Sequence, residues 1–450
     1  MPYRDLREYL QKLEAEGELI KIKESLSPVY EIPSVFKQLG LMDGPAALVE
    51  NVAGYSVPMA GNIFGSLKKL ALALETEEDH LFPEYEKRAV SPIPPKLVEK
   101  EKAPVKQVII KDNIDVMKTI PITKSHVGDA SPYITQGLMC LKDPDTGTRD
   151  MAIRRVQVKG PNRLGIFFVG FTARAAWLKE EAGGKPLETA IAVGVDPAVL
   201  IAGNVWSPFG NRLALAGGLR KQEVELVKCE TIDVDVPATA MFVIEGKILP
   251  DYLEPEGPFG EMMGFYHTAM NPVMEITAIT HQKDPIYSTH VTFSKEDAMV
   301  WDALGKVIFF PMLKMLVPSL KDFWYSLPQN LMIISIIKRN EWDSRVALQS
   351  LMSLPFAKIV IVVDDDIDVN NIDEVKWALA GRFQPDKDIV LASELLGSCI
   401  EPSLKGGLVG SKLGIDGTKP LGEPGKFEKI SIPKEIVEKT SKLLEKYLAC

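Results

Sequence analysis

The sequence predicts a mixed fold in which two α/β parts flank a central part built mainly from β-strands. The chain has 450 residues, which exceeds one hydrophobic core at roughly 100 to 200 residues per domain. A proline- and lysine-rich tract, SPIPPKLVEKEKAPVK, closes the first part near residue 105, and strand-like runs follow it to residue 292. We therefore predict three domains, over residues 1–105, 106–292 and 293–450.

The first part mixes helical and strand-like patterns. Leu6, Tyr9, Leu10 and Leu13 recur at helical spacing, which predicts an amphipathic helix. The run of small and branched apolar residues over 46–49 predicts a short strand. The opening segment is charged throughout, unlike the apolar block of a signal peptide.

The second part consists of apolar runs separated by Gly, Pro, Asp and Asn. The runs are KQVIIKD, VQVKGPNRLGIFFVGF, ATAMFVIEGKIL and PIYSTHVTF. Such spacing predicts a sheet or a barrel.

The third part begins with a helix signal and continues as an α/β unit. The segment from Ser294 to Asp297 is like a capping box, and Pro311 is expected to interrupt the helix that follows. Residues 359–363 predict a buried parallel strand that ends in three aspartates. We favour a structural role for these aspartates over a Mg²⁺ site. The stretch KGGLVGSKLGIDGTKPLGEPGK predicts a glycine-rich loop, and an amphipathic helix follows it.

Composition argues against several classes of function. The chain is 46% hydrophobic and 25% charged, which is typical of a globular protein. A formal charge of −9 argues against a general nucleic-acid binder. The four cysteines form no CxxC pair, and the five histidines form no close pair of zinc ligands. No apolar run approaches the roughly 18 residues of a membrane span, so we expect a cytoplasmic protein without an integral membrane segment.

Two stretches carry candidate catalytic groups. EPEGPFGE places Glu256 and Glu261 on a turn stiffened by Gly and Pro. Paired carboxylates near a cation can have separated pKa values, which leaves one as a proton donor, although the residues alone fit a solvated turn equally well. DPDTGTRDMAIRRVQV places Arg154 and Arg155 on a strand. Strand alternation predicts that only one of them can easily enter a given pocket.

These stretches resemble the UbiD family of decarboxylases, which act on aromatic or α,β-unsaturated carboxylic acids with prenylated FMN. Other segments follow the family's order over most of the chain: DGPAALVENVAGYSVPMAGNIFG, SPYITQGL, VGVDPA, ELVKCETIDVDVPA, KIVIVVDDDID and GSKLGIDGT. The resemblance implies an N-terminal α/β domain, a central flavin-binding split β-barrel and a C-terminal α/β domain used in oligomerisation.

The resemblance also implies a catalytic unit of one arginine and two acids, which falls on Arg155, Glu256 and Glu261. The cofactor would act as the electron sink while CO₂ leaves, and Glu261 would then protonate the product. Glu256 would orient Arg155, which would hold the substrate carboxylate or the acid network. Ile153 and Arg154 would contact the cofactor beside Arg155.

One departure from the family concerns the divalent metal, such as Mn, that ties down the cofactor phosphate through Asn, His and Glu. The matching positions read Asp150, Phe171 (Thr172 or Ala173 if the gap is moved) and Arg212, so the resemblance implies no metal ligands here. In one hypothesis, Arg212 grips the phosphate directly and pairs with Asp150.

In the other hypothesis, the chain is a non-catalytic or substrate-holding subunit of a larger carboxylase of the phenylphosphate carboxylase type. A pure binding or scaffold protein is a third alternative. The resemblance implies a small carboxylic acid and CO₂ as ligands. It also implies a homo-oligomer, or a hetero-oligomer with other UbiD-like subunits, and no nucleic acid.

Overall fold

The computed structural model describes residues 2–168, 171–205, 212–404, 408–423 and 425–448. The chain divides into two compact units. The first comprises Met1–Met312, Tyr325–Asn330 and Leu396–Gly410, and the second comprises Leu313–Trp324, Leu331–Leu395 and Ser411–Cys450. The predicted domain boundaries near residues 105 and 292 stay a prediction.

The described ranges contain α-helices and β-strands, with short 3₁₀ turns between residues 78 and 106. The helices are α1 (Leu6–Ala15), α2 (Glu31–Leu41), α3 (Leu67–Ala73), α4 (Leu81–Ala89), α5 (Val116–Thr119), α6 (Phe171–Ala182), α7 (Pro197–Asn204), α8 (Arg212–Arg220), α9 (Lys295–Leu316), α10 (Asp343–Met352), α11 (Ile372–Arg382) and α12 (Lys434–Leu448). The strands are β1 (Leu19–Leu26), β2 (Ala46–Val52), β3 (Met59–Gly61), β4 (Lys96–Leu97), β5 (Val108–Ile110), β6 (Tyr133–Lys142), β7 (Arg149–Gly160), β8 (Arg163–Ile166), β9 (Leu187–Val193), β10 (Glu225–Lys228), β11 (Asp235–Pro237), β12 (Phe242–Gly260), β13 (Tyr266–His281), β14 (Tyr287–Ser288), β15 (Leu320–Ser326), β16 (Leu331–Ile336), β17 (Ile359–Asp364), β18 (Ile389–Leu396) and β19 (Val409–Gly417).

The N-terminal elements form as their sequence patterns predict. The carboxylate of Asp5 caps α1 by accepting from the amides of Arg7 and Glu8, and the four periodic apolar residues of α1 are all buried. The predicted strand over 46–49 is the first part of β2, which pairs with β1 and β3 in a sheet of order β1-β2-β3-β14.

The central part is a closed barrel. Strand β12 pairs antiparallel with both β9 and β13, and β13 also pairs with β8. The order β12-β9-β6-β7-β8-β13 therefore closes on itself, and β5 joins at β13. The prediction of a barrel flanked by α/β elements is confirmed. Closure removes the exposed strand edges and gives the barrel wall two faces that can carry functional groups.

The C-terminal sheet has the order β15-β16-β17-β19-β18, and β17 is parallel to both β16 and β19. The predicted buried strand over 359–363 is β17. Of the aspartates at its end, Asp364 and Asp366 accept hydrogen bonds from the buried guanidinium of Arg382 on α11, at 2.7–2.8 Å. These two carboxylates therefore link a strand to a helix, as the favoured structural interpretation predicts.

The glycine-rich stretch is not wholly a loop, which corrects the prediction. Residues 409–417 form β19, whereas 405–407 lie outside the described residues. A Cβ on Gly414 would lie 2.8 Å from Sδ of Met352, and one on Gly417 would lie 2.8 Å from a methyl carbon of Leu379. The glycines therefore allow side chains of α10 and α11 to pack directly on the strand, a tertiary requirement that looks like a loop in sequence.

Helix α9 begins as predicted but does not break. The hydroxyl of Ser294 accepts from the amide of Asp297 at 3.4 Å, and the Asp297 carboxylate accepts from the amide of Phe293 at 2.9 Å. The helix continues through Pro311 to residue 316. Across the ranges that the structure covers, no helix is long and apolar enough to cross a membrane.

Candidate active site

A cavity of about 380 Å³ lies in the first unit. Four consecutive residues of β7, from Ala152 to Arg155, line it together with residues of α7, α8 and the first turns of α9. Arg154 and Arg155 both reach this cavity, so the prediction that only one could enter was wrong. Alternation does send them to different faces of β7, but α7 and α8 pack against that strand and the cavity extends along them as well as along the other face.

Arg155 joins the two predicted acids into one buried cluster. Its Nε and Nη2 donate to the two carboxylate oxygens of Glu256, at 3.2 and 2.5 Å. Its Nη1 donates to Oε1 of Glu261. Glu256 is fully buried, and Glu261 and Arg155 are each 8% exposed. The structure therefore brings together all three residues that the sequence assigned to catalysis.

Aromatic and polar neighbours fix the guanidinium plane of Arg155. The Phe167 ring lies 3.7 Å from its Cζ, and the Phe259 ring lies 5.1 Å away. Both rings provide cation–π contacts. Its Nη2 also lies 3.0 Å from Nδ1 of His267. Burial and the adjacent Arg155 lower the pKa of His267, so a neutral imidazole accepts this hydrogen bond.

The two carboxyl groups share one cation unequally. Burial raises the pKa of both Glu256 and Glu261, and Arg155 opposes that shift in each. Glu256 takes two hydrogen bonds from Arg155, with Asn271 Nδ2 a further 3.4 Å away. Glu261 takes one from Arg155 and a 3.2 Å bond from the Met262 amide. Glu256 therefore receives more hydrogen bonds that favour its ionised form than Glu261 does.

The segment that carries both acids is a bulged strand end, not the predicted turn. Glu256 lies within β12, which pairs with β13 through register shifts between Glu256 and Phe259. Glu261 follows the last residue of the strand. The carboxylate of Asp129 accepts from the amide of Gly260 at 2.8 Å, and Thr292 Oγ1 donates to the Gly260 carbonyl. These contacts hold the backbone on the N-terminal side of Glu261.

A second charged cluster lines the same cavity. Nη1 of Arg212, the first residue of α8, donates to both carboxylate oxygens of Asp150 on β7, at 3.0 and 3.1 Å. Its Nε donates to the carbonyl of Val205 at 3.2 Å. Arg154, also on β7, donates from Nη1 to the carbonyl of Ile153 at 2.8 Å. The structure thus places the residues predicted to bind the cofactor beside one another.

The residues present do not fit a divalent metal of the kind that ties down the cofactor phosphate in the family that the sequence resembles. Among the described residues, no group of three or more His, Cys, Asp or Glu side chains could hold a metal ion. Arg212 occupies one of the matching positions, and its positive charge would repel a metal cation. The side chains of Phe171, Thr172 and Ala173, at the third position, lie outside the described part of the chain.

The residues do fit a flavin phosphate and a hydrogen-bonding ring. Nε of Arg154 and Oε1 of Gln136 are both buried and have no hydrogen-bond partner in the described structure. Both residues line the cavity. One is a cationic donor and the other a neutral acceptor, so together they match a ligand that carries an anionic group and a polar edge.

Another part of the wall was not anticipated from the sequence. Nε2 of His290 lies 3.1 Å from Oδ1 of Asp297, and this carboxylate raises the pKa of His290 against the opposing effect of burial. Trp301, Leu327 and Cys399 line the same region. His267 and Asn271 were also missed. The register of the β12–β13 hairpin sets their positions, and its bulges hide that register from sequence spacing.

Comparison with protein families accounts for this arrangement. The N-terminal, Rift-related and C-terminal domains of 3-octaprenyl-4-hydroxybenzoate carboxy-lyase match residues 10–89, 96–295 and 298–417. Proteins with these three domains are carboxy-lyases, and this protein is a carboxy-lyase. A protein of Archaeoglobus fulgidus, described as uncharacterized, is 34% identical, with 94% of each chain covered. Another from Synechocystis is 33% identical, with 93% and 90% covered. The chain belongs to the UbiD family.

Solved structures of UbiD-class enzymes have the same fold. HmfF from Pelotomaculum thermopropionicum in complex with FMN is 39% identical, with 96% of this chain and 98% of that chain covered and a TM-score of 0.86. Vanillic acid decarboxylase from Sedimentibacter hydroxybenzoicus is 28% identical, with 99% and 100% covered and a TM-score of 0.89. The 3,4-dihydroxybenzoic acid decarboxylase of Klebsiella pneumoniae is 25% identical, with 96% and 97% covered and a TM-score of 0.81.

Proposed function

We propose that the protein decarboxylates an aromatic or α,β-unsaturated carboxylic acid, reversibly and with prenylated FMN, and that Glu261 is the proton donor. The buried cluster of Arg155, Glu256 and Glu261 at the cavity wall is the observation that carries this proposal. HmfF has been solved with FMN, and an evolved dimeric form of it with prenylated FMN. Similarity to these structures and to two aromatic acid decarboxylases supports the cofactor and the substrate class.

The bound cofactor would supply an electron sink for the carbon–carbon bond that breaks. The chain's own part is to place the substrate and to move one proton. Arg155 neutralises the carboxylate of Glu256 and holds Glu261 at the cavity edge. As CO₂ leaves, Glu261 gives its proton to the carbon that carried the carboxyl group, and solvent restores that proton afterwards.

The cofactor would lie along β7 at Ile153, Arg154 and Arg155. Gln136, on the neighbouring strand β6, would also contact it. Met262, Trp301 and Leu327 give the remaining wall an apolar character suited to an aromatic or unsaturated acid. His290, with its pKa raised, adds a polar point of contact in that wall.

The test starts from protein co-expressed with a prenyl-FMN synthase and purified anaerobically. Its visible spectrum and mass spectrum report bound cofactor, and a panel of aromatic and unsaturated acids in D₂O reports activity. Product deuterated at the carbon that lost CO₂ is expected from the parent. Glu261→Gln should bind the cofactor but turn over at least about 100-fold more slowly, the scale of general acid catalysis.

Glu254→Gln is the matched control because Glu254 lies on the same strand but pairs with Lys159 and Arg163, at 3.1 and 2.6 Å. It should retain activity. Equal turnover in Glu261→Gln and parent would overturn the proton-donor role, and cofactor-loaded parent that turns over none of the acids would overturn the proposed activity.

The absence of a fitting metal set among the described residues favours one second candidate. In it, the chain is a non-catalytic or substrate-holding subunit of a multi-subunit carboxylase of the phenylphosphate carboxylase type. That candidate predicts a parent protein that stays free of cofactor, is inactive alone and gains activity only with partner subunits.

A further inference from the structure

We infer that Arg154 and Arg212 form a metal-independent site for a phosphate monoester, which in this protein is the phosphate of the flavin. The inference rests on the proposed function for the identity of the ligand. The site itself rests on the charge balance and on the unmet hydrogen-bonding capacity of the described residues.

Among the described residues, the arginines of the cavity include one cation without an acidic partner. Arg155 is balanced by Glu256 and Glu261, and Arg212 is balanced by Asp150 at 3.0 Å. Arg154 forms no ion pair with any described carboxylate, and its one hydrogen bond goes to the neutral carbonyl of Ile153. The group of Asp150, Arg154 and Arg212 therefore carries a net charge of +1.

This surplus charge is partly withdrawn from water, because Arg154 is half-buried. Burial, and then repulsion from Arg212, lowers the pKa of Arg154 to about 10, so the guanidinium still carries its proton at neutral pH. Its Nε is buried without an acceptor in the described structure. A buried unpaired cationic donor is costly, and an anion placed against it would satisfy both the charge and the hydrogen bond.

A phosphate monoester matches this geometry better than a carboxylate does. Nε of Arg154 has no acceptor in the described structure. Arg212 uses Nη1 for Asp150 and Nε for the Val205 carbonyl, so Nη2 is its donor toward a ligand. A phosphate has three terminal oxygens that can accept from both guanidinium groups while Arg212 keeps its bond to Asp150. Asp150 fixes the Arg212 side chain in advance, which reduces the ordering required when the ligand arrives. A divalent cation placed here would instead meet two fixed positive charges.

The experiment compares FMN with riboflavin, which lacks only the phosphate. Binding to flavin-free protein is followed by flavin fluorescence, with excess EDTA or with added Mn²⁺. In EDTA, the parent should bind FMN at least about tenfold more tightly than riboflavin, as expected for hydrogen bonds to a charged group. Added Mn²⁺ should change the FMN affinity less than about twofold on the same scale.

Arg154→Gln should weaken FMN about tenfold and leave riboflavin unchanged. Because Arg212→Gln would strand a buried carboxylate, the double variant Asp150→Asn/Arg212→Gln removes both charges of the pair and should also lose the preference for FMN. Arg149→Gln is the control. It lies on the same strand, but Asp235 is its partner and it does not line the cavity, so the preference should remain.

Two results would overturn the site: FMN binding that EDTA weakens about tenfold and Mn²⁺ restores, or equal affinity for FMN and riboflavin in the parent.

If neither flavin binds, inorganic phosphate is tested by isothermal titration. Phosphate binding that Arg154→Gln removes keeps the anion site and withdraws the flavin from the proposed function, whereas no phosphate binding overturns the site. Metal-free FMN binding without decarboxylation by the loaded protein would remove the activity but not the site.

Discussion

At the scale of single residues, the sharing of one guanidinium by two acids decides the chemistry. A single cation in a buried site cannot fully offset two carboxylates, so one of the pair is driven to keep its proton. The bidentate contact selects Glu256 as the ionised partner. In the proposed function Glu261, with one contact to Arg155 and a position on the cavity wall, is the acid.

This division predicts the pH dependence of stability for Glu261→Gln. Burial raises the pKa of Glu261 in the folded chain above its usual 4.5, so the folded state binds this proton more tightly than the unfolded state does. Its stabilising effect is complete below pH 4.5 and is lost as pH rises toward the folded pKa. Thermal unfolding from pH 4 to 8 should therefore show the Tm of the variant increasing relative to the Tm of the parent as pH rises.

Glu254→Gln should behave in the opposite way. Hydrogen bonds from Tyr252 and then from Lys159 and Arg163 lower the pKa of Glu254 to about 2. The contribution of Glu254 to stability is present above its usual pKa and is lost as pH falls toward 2. The parent should therefore be more stable than this variant by a smaller margin in acid. If Glu261→Gln instead loses ground to the parent as pH rises, Arg155 holds Glu261 ionised and the assignment of the proton fails.

Asp129 gives a second prediction at this scale. It accepts from the Gly260 amide at 2.8 Å and from the His126 amide at 2.8 Å, and it does not line the cavity. Asp129→Asn weakens both bonds, so we expect a loss of roughly 1–3 kcal/mol in unfolding free energy. We also expect kcat to fall more than KM changes, because Glu261 moves while the substrate wall stays in place.

Asp145→Asn is the comparison, since Asp145 pairs with Lys179 on the exposed surface and its replacement should change neither quantity. Asp129→Asn with parental kcat at every pH would show that the Asp129 contacts only stabilise the fold.

At the scale of elements, β7 and β12 set the site. Strand β7 carries Asp150, Arg154 and Arg155, whereas β12 carries Glu256 and leads directly into Glu261. Neither strand alone specifies the site. The site depends on which strands become neighbours and on the bulges that shift β12 against β13 by whole residues.

Gly257 is the position where this bulge most requires glycine. Its φ is +106°, and a Cβ there would lie 2.4 Å from the carbonyl oxygen of His267. Gly257→Ala should therefore lower the unfolding free energy by about 2 kcal/mol or more and separate Glu256 from Arg155. Unfolding in denaturant and turnover measure the two effects.

Gly160→Ala is the control because Gly160, at the end of β7, has no positive φ and has open space where the methyl group of alanine would lie. Among the described residues, no atom comes within 4 Å of that position. We expect this variant to be neutral in both measurements. A Gly257→Ala protein as stable and active as Gly160→Ala would show that the bulge relaxes without cost.

These elements also show how far the sequence alone could lead. Helix α1 and strand β17 follow from local periodicity, and the motif resemblance gave Arg155, Glu256 and Glu261. The strand nature of β19 and the shared cavity of Arg154 and Arg155 did not follow, because both depend on helices that pack against those strands. His267 and Asn271 were also missed, since only the bulged register of β13 brings His267 to Arg155 and Asn271 to Glu256.

At the scale of the whole molecule, the exposed apolar residues of α12 predict a second copy of this chain as partner. Ile436, Val437, Leu443, Leu444 and Tyr447 are each 45–73% exposed and fall at helical spacing along one side of α12. Isolated exposed apolar residues are ordinary, but a contiguous row marks an interaction surface. A self-complementary contact between two such helices would cover both rows.

We therefore expect light scattering coupled to gel filtration to find the parent as a homo-oligomer. Leu443→Glu/Leu444→Glu should shift it to the monomer, because burying charge without a partner costs several kcal/mol. The charge-matched control Lys439→Gln/Lys442→Gln lowers the net charge by the same two units, changes α12 outside the apolar row and should leave the assembly intact. A parent that is monomeric alone and assembles only with a different UbiD-like chain would assign α12 to a hetero-oligomer, the arrangement that the non-catalytic alternative requires. A monomeric parent that retains full turnover would show that the catalytic cluster is complete within one chain and that the apolar row of α12 has no part in the reaction.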